Sequence, residues 1–140
     1  MLKDFEIEIL ENEAIPEMLR EIADPPSKIY LQGTLPGPNT KILCVVGSRK
    51  YTQYGKDVCE KIISGLRGYD ITIVSGLALG IDGIAHRSAL DAGLKTIAVP
   101  GSGLNESVLY PSSHKQLAEK ILQSGGALIS EFEPDFRATP

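Results

Sequence analysis

Three short apolar runs in this chain each give way to a Gly/Ser loop: residues 42–46 to Gly47-Ser48-Arg49, residues 71–74 to Ser75-Gly76, and residues 96–99, after Pro100, to Gly101-Ser102-Gly103. Runs this short and continuous read as strands buried on both faces, and the amphipathic stretches between them set a βα rhythm. In a parallel sheet the three loops gather at the carboxyl edge. There, backbone N–H groups and helix N-termini concentrate positive potential and form an anion pocket. Arg49 in the first loop, with Tyr51, Tyr54 and Tyr110 nearby, suits a ligand that has both phosphates and flat rings. Nucleic acid or a nucleotide is the first expectation.

The pattern predicts strands over 42–46, 71–74, 96–99 and 127–130, and helices over about 52–66, 81–92 and 113–123. The fold class is α/β: a Rossmann-like three-layer domain with a mainly parallel sheet and helices on both faces. In the first helix Val58, Ile62 and Leu66 share a face, widened by Cys59 and Ile63. The inward positions of the second (Ile81, Ala85, Ala89, Ala92) are mostly small and allow close approach to the sheet, and Gly93 stops it. Ser113-His114-Lys115-Gln116 reads as a capping box opening the third, which buries Leu117 and Ile121. The chain divides near Gly37-Pro38-Asn39. Residues 1–37, with a short helix over 15–22 and an extended Ile29-Tyr30-Leu31 ending at Gly33, form an arm packed on the main domain at 38–140.

A chain of 140 residues, 42% hydrophobic, supports one domain with a real core. No run approaches the ~20 apolar residues of a membrane span, and the acidic start (Asp4, Glu6, Glu8) is unlike a signal peptide, so a cytoplasmic protein is expected. Cys44 falls in a predicted core strand and Cys59 on a helix, which reads as two buried, reduced thiols. The net charge of −4 is unevenly spread. Residues 1–40 carry 3 basic and 8 acidic side chains, whereas 41–67 carry 6 basic against 2 acidic, beside the first loop. A solvated helix face accounts for Lys56 and Lys61 better than ligand contact does.

Catalytic motifs fail. There is no GxxxxGK[ST] and no HExxH, metal-type acidic cluster or nucleophile elbow, and Gly101-x-Gly103 is followed by Glu106 where a dinucleotide fingerprint has Gly or Ala. His86 and His114 have no adjacent Ser or Cys partner. Neither catalysis nor a cofactor is called for.

Gly47-Ser48-Arg49 with Thr52 and Tyr54-Gly55, then Ser75-Gly76-Leu77-Ala78-x-Gly80-Ile81-Asp82-x-x-Ala85-His86, then Lys95-Thr96-Ile97-Ala98-Val99-x-Gly101-x-Gly103, Tyr110-Pro111 and Gly126-Ala127-Leu128-Ile129-Ser130-Glu131 closely resemble the DNA-processing protein A (DprA/Smf) family. The resemblance runs in order from about residue 16 to 133. It implies an extended Rossmann-like domain that binds and protects single-stranded DNA without sequence preference. It also implies a role in natural transformation, with a RecA-type recombinase as partner and a homodimer as assembly. Family members continue past the equivalent of Phe136 with a basic segment, further strands and a dimerisation surface, so the chain is expected to be a fragment or a truncated form. A phosphoribohydrolase on the same fold is the enzymatic alternative, but its PGGxGTxxE-type signature is missing from Pro100-Gly101-Ser102-Gly103-Leu104-Asn105-Glu106.

The expected DNA or phosphate ligands are Gly47, Ser48, Arg49, Thr52, Ser75, Gly76, Gly101, Ser102, Gly103, Tyr110 and Lys95. Each also has a structural reading. Arg49 could pair with a carboxylate, though its place between a Gly-Ser turn and a helix start favours phosphate. Ser48 and Ser75 could cap turns. The glycines could serve turn geometry alone. Tyr110 could fix its loop or stack a base. Lys95 enters its strand from the far end, which favours solvation, while resemblance to GGKTIAV-type segments keeps it in the set. Asp82 and His86 read as structural.

Overall fold

The computed structural model describes residues 1–139. Six strands, β1 (Glu8–Glu11), β2 (Lys28–Gly33), β3 (Lys41–Cys44), β4 (Ile71–Ser75), β5 (Lys95–Ala98) and β6 (Ala127–Ser130), form one sheet in the order β1-β2-β6-β5-β4-β3. The helices are α1 (Glu17–Arg20), α2 (Gln53–Ser64), α3 (Ile81–Asp91) and α4 (Lys115–Gln123). β3 to β6 run parallel, while β2 is antiparallel to β6 and to β1. The arm therefore enters the sheet itself, with Leu31 paired to Ile129 and Ile9 to Tyr30. The α/β, Rossmann-like architecture read from the sequence stands.

From β3 to β6 the chain advances one strand at a time in a single direction. Right-handed crossovers then put α2, α3 and α4 on the same face of the sheet. Beneath α4 the buried residues include Leu77, Ala98, Leu117, Ile121 and Leu128; beneath α2 and α3 they include Cys59, Ile63, Ile73, Ala85 and Ala89. The opposite face packs Ile29, Leu31, Ile97, Ala127 and Ile129 against Ile15 and Leu19 of the arm. Its helical layer is the single turn α1. That cover ends before β3, whose four residues are all exposed.

Several local readings are corrected. The stripe of α2 centres on Cys59 and Ile63, and Ile62 is exposed. Cys44 is exposed because β3 is an edge strand covered on neither face. No capping box opens α4. A 3-10 turn at Ser112–His114 precedes it, and the His114 side chain turns inward to the Leu77 carbonyl. Leu117 and Ile121 are buried as expected. β1 has no counterpart in the sequence reading.

His86 is wholly buried on α3, its Nδ1 2.7 Å from Thr96 Oγ1. That hydroxyl donates its own proton to the Ile73 carbonyl at 2.9 Å, so it must accept from the imidazole, which fixes the Nδ1–H tautomer. Burial, reinforced by nearby His114, lowers the pKa from 6.5 to about 4. The unfolded chain binds this proton near pH 6.5 and the folded chain only near 4. The contribution is thus complete above pH 6.5 and is lost as pH falls toward 4, at up to about 1.4 kcal/mol per pH unit. Urea unfolding of His86→Gln should show lower stability at neutral pH and a flatter decline between pH 6.5 and 4. Equal slopes would place the titrating site elsewhere.

Candidate nucleic-acid interface

Because β3, β4, β5 and β6 are parallel, their carboxyl ends open on one edge, and the loops after them lie side by side. The first loop leaves β3 through Gly47 and is shaped by Ser48, whose Oγ accepts from the Lys50 amide at 3.0 Å. Thr52 caps α2 by accepting from the Gly55 amide at 3.0 Å. Both residues therefore act as turn and cap. Arg49 lies between them, exposed, and among the described residues its guanidinium is in no ion pair or side-chain hydrogen bond. Neither the phosphate reading nor the carboxylate reading of Arg49 is tested by this arrangement, which leaves its guanidinium free among the described residues.

The second loop is tied from below. Ser75 is buried and donates to the Val45 carbonyl at 2.6 Å, joining β4 to the end of β3. The Gly76 amide donates to Asp82 Oδ2 at 3.0 Å, which accounts for an acid in the first turn of α3. Leu77, at φ 63°, gives its carbonyl to His114 Nδ1 at 2.7 Å. Gly80 then meets the first loop. At φ 83° and ψ −133° a side chain is disfavoured, and its Cβ would collide with the Ser48 carbonyl oxygen and lie 2.7 Å from Arg49 Cα. The close approach lets the Ile81 amide donate to the Ser48 carbonyl at 3.1 Å.

In the third loop Gly101 faces open space. Ser102 is fully buried; its Oγ donates to the Gly103 carbonyl and accepts from the Tyr110 amide, both at 3.0 Å. Ser130 Oγ donates to the Ser102 carbonyl at 2.7 Å. A Cβ on Gly103 would strike Glu133 and Pro134 backbone atoms, and its amide donates to the Phe136 carbonyl at 2.9 Å. The segment after β6 thereby joins the same edge. There Phe132 and Phe136 stack with ring centroids 4.4 Å apart.

Ten of the eleven expected site residues thus share this edge. Lys95 does not: it opens β5 at the opposite end, and its ammonium donates to the Ser124 carbonyl at 2.7 Å. Within the group of ten, Ser75 and Ser102 are committed to internal hydrogen bonds. So are the amides of Lys50, Gly55, Gly76, Ile81 and Gly103. Exposed Arg49 and Lys50 put positive charge on the first loop of this edge. Flat surface comes from Tyr51, Tyr54 and Tyr110, all exposed, and from Phe136. Lys50 was counted in the sequence only within the basic stretch beside the first loop, and Phe136 was not among the expected ligands. Adjacency to Arg49 signals the first, but nothing local shows that the chain after β6 turns back to the third loop. Among the described residues there is no His/Cys/Asp/Glu group that could hold a metal ion, and no helix is long and apolar enough to cross a membrane.

The model of the DNA recombination-mediator protein A family matches residues 6–140. The chain belongs to that family. It is 40% identical over 125 residues to protein Smf of Escherichia coli, and 41% identical over 123 residues to DNA processing protein DprA of Streptococcus pneumoniae. Those alignments cover 89% and 88% of this chain but 33% and 42% of the relatives. The S. pneumoniae DprA crystal structure superposes with a TM-score of 0.78 at 34% identity, over 99% of this chain and 47% of that one. DNA processing protein A of Helicobacter pylori, described for its single-stranded DNA binding mode, superposes with a TM-score of 0.78 at 32% identity, over 99% of this chain and 61% of that one. The chain thus spans between a third and about three-fifths of the length of these relatives.

The contact at Gly80 generates a test of how the loops are held. Gly80→Ala should destabilise the fold well beyond the ~1–3 kcal/mol of an unfavourable backbone conformation alone. Gly68, at φ 88° with only open space where a Cβ would stand, isolates that backbone cost when changed to Ala. Equal losses for the two variants in chemical unfolding would mean that the first two loops are not interlocked.

Proposed function

We propose that this domain binds single-stranded DNA along the carboxyl edge of its sheet, without sequence preference and without catalysis, as part of DNA processing in the cytoplasm. Arg49 carries the reading: an unpaired guanidinium held on a rigid loop, beside exposed aromatic rings, at the edge where four parallel strands end. A guanidinium engages two phosphate oxygens in a fork, and stacking of bases on aromatic rings tolerates any sequence. An edge of separate loops and rings admits a splayed strand whose bases are free to stack, whereas a duplex keeps its bases inside. Similarity to the H. pylori protein, described as binding single-stranded DNA, supports the same ligand. Recombination mediation through a RecA-type recombinase fits the family name and is the partner we assign to the wider protein.

The chain should bind a labelled oligo-dT in fluorescence anisotropy and release it to unlabelled single strand far more readily than to duplex at equal nucleotide concentration. Equal competition by duplex would defeat the proposal. Adenosine monophosphate should pass through unhydrolysed; turnover would favour the phosphoribohydrolase reading.

Arg49→Ala should weaken binding much more than Lys61→Ala, because Lys61 lies in the last turn of α2, at the other end of that helix. The slope of log affinity against log salt should fall by about 0.7, as for one lost single-strand phosphate contact, equally for thymine and adenine oligomers. An unchanged slope and affinity in a folded variant would remove Arg49 from the interface.

A further inference from the structure

We propose, on the single-stranded DNA reading above, that Tyr30 of the arm and Glu133 of the segment after β6 form a clasp that positions the outer part of the third loop and so presents the Tyr110 ring to the ligand. Tyr30 sits in the interior of β2 and is 2% exposed. A buried tyrosine needs a partner for its hydroxyl. It donates to Glu133 Oε2 at 2.6 Å, joining residues 103 positions apart in the chain. Lys28, two residues earlier on the same face of the strand, places its ammonium 3.1 Å from Glu133 Oε1 and 5.8 Å from the centre of the Tyr30 ring.

The two contacts differ in weight. The Lys28 and Glu133 side chains are 43% and 66% exposed, and an ion pair so open to water contributes little. The Tyr30 bond is short and charge-assisted, and its donor is carried by a ring locked in the core. Both donors hold the Glu133 carboxyl below the ordinary carboxylate range, Tyr30 more than Lys28.

Glu133 passes this hold to the third loop. Its carbonyl accepts from the Phe136 amide at 2.9 Å, which closes a turn over 133–136. From that turn the Pro134 and Phe136 carbonyls accept from the Asn105 and Gly103 amides at 3.0 and 2.9 Å, and Asn105 Nδ2 donates to Asp135 Oδ1. Ser102 is held separately, by Ser130 beneath it, and its Oγ accepts from the Tyr110 amide. The clasp therefore governs the loop from Gly103 to Tyr110. The first two loops are braced elsewhere, through the Ile81 amide and Asp82, so Arg49 lies outside its reach.

Tyr30→Phe removes the hydroxyl and keeps the ring. In the whole chain it should leave circular dichroism unchanged and speed hydrogen exchange at the Gly103 and Asn105 amides, while Gly76 and Ile81 keep wild-type rates. Binding of labelled oligo-dT should weaken by roughly three- to tenfold, the size of one lost hydrogen bond. That loss should shrink in a Tyr110→Ala background and persist in full with Arg49→Ala, since residues that act as a unit are not additive. Glu133→Ala, at an exposed position, should behave as Tyr30→Phe and carries the same test if the first variant fails to fold. Glu133→Gln, which keeps an acceptor for the hydroxyl, should recover most of the binding, and Lys28→Ala should bind like the wild type. Unchanged exchange at Gly103 and Asn105, or a binding loss of equal size with and without Tyr110, would overturn the clasp and leave the proposed function standing. A wild-type chain that does not bind oligo-dT defeats both together.

Discussion

The Ile81 amide reaches the Ser48 carbonyl only because residue 80 has no side chain, and the whole candidate edge follows from that contact. It makes the start of α3 the support for the first loop, so the position of Arg49 depends on a helix that arises from the next strand. Asp82, one residue on, holds the Gly76 amide. Two adjacent residues of one helical turn thus brace two loops. Arg49 extends from a braced backbone, and less ordering remains to be done when a ligand arrives.

Beneath the loops the molecule departs from an apolar core. Ser75, Asp82, His86, Thr96, Ser102, His114 and Ser130 are all buried. Each buried polar group costs stability unless it is partnered. Here all seven have hydrogen-bond partners on other parts of the chain or, for Ser102, also on its own loop. Apolar contacts fill space without fixing direction, whereas these bonds specify which carbonyl or amide meets which side chain. The price is acid sensitivity at His86, whose Nε2 finds no partner.

Much of this was legible in the sequence, for identifiable reasons. The parallel strands and α2 to α4 announce themselves through apolar runs and helical periodicity, and the Gly/Ser loops mark the strand ends. β1 was not legible, because Glu8-Ile9-Leu10-Glu11 is a short acidic edge strand with little apolar signal. The one-sided placement of the long helices depends on spatial strand order, which no local pattern encodes. Lys95 shows the same limit from another side: its neighbours in sequence match the family, but strand direction carries it to the edge away from the loops. Ser75 and Ser102 occupy the expected edge with their side chains turned inward, a choice set by the carbonyls of neighbouring strands.

Strand order also converts an uneven sequence into a polarised surface. The acidic residues of 1–40 belong to the arm, which supplies β1 and β2 and lies at one end of the sheet, while the basic excess of 41–67 lies in β3, the first loop and α2 at the other. A net charge of −4 therefore hides a field directed along the sheet, repelling polyanions at the arm and attracting them toward Arg49. The helix dipole adds to it. α2 begins beside the first loop, so its positive end reinforces the same corner. Under the proposed function, a single-stranded polyanion would meet this field before it met any base-stacking ring, so charge would set its approach and stacking its sequence-independent hold.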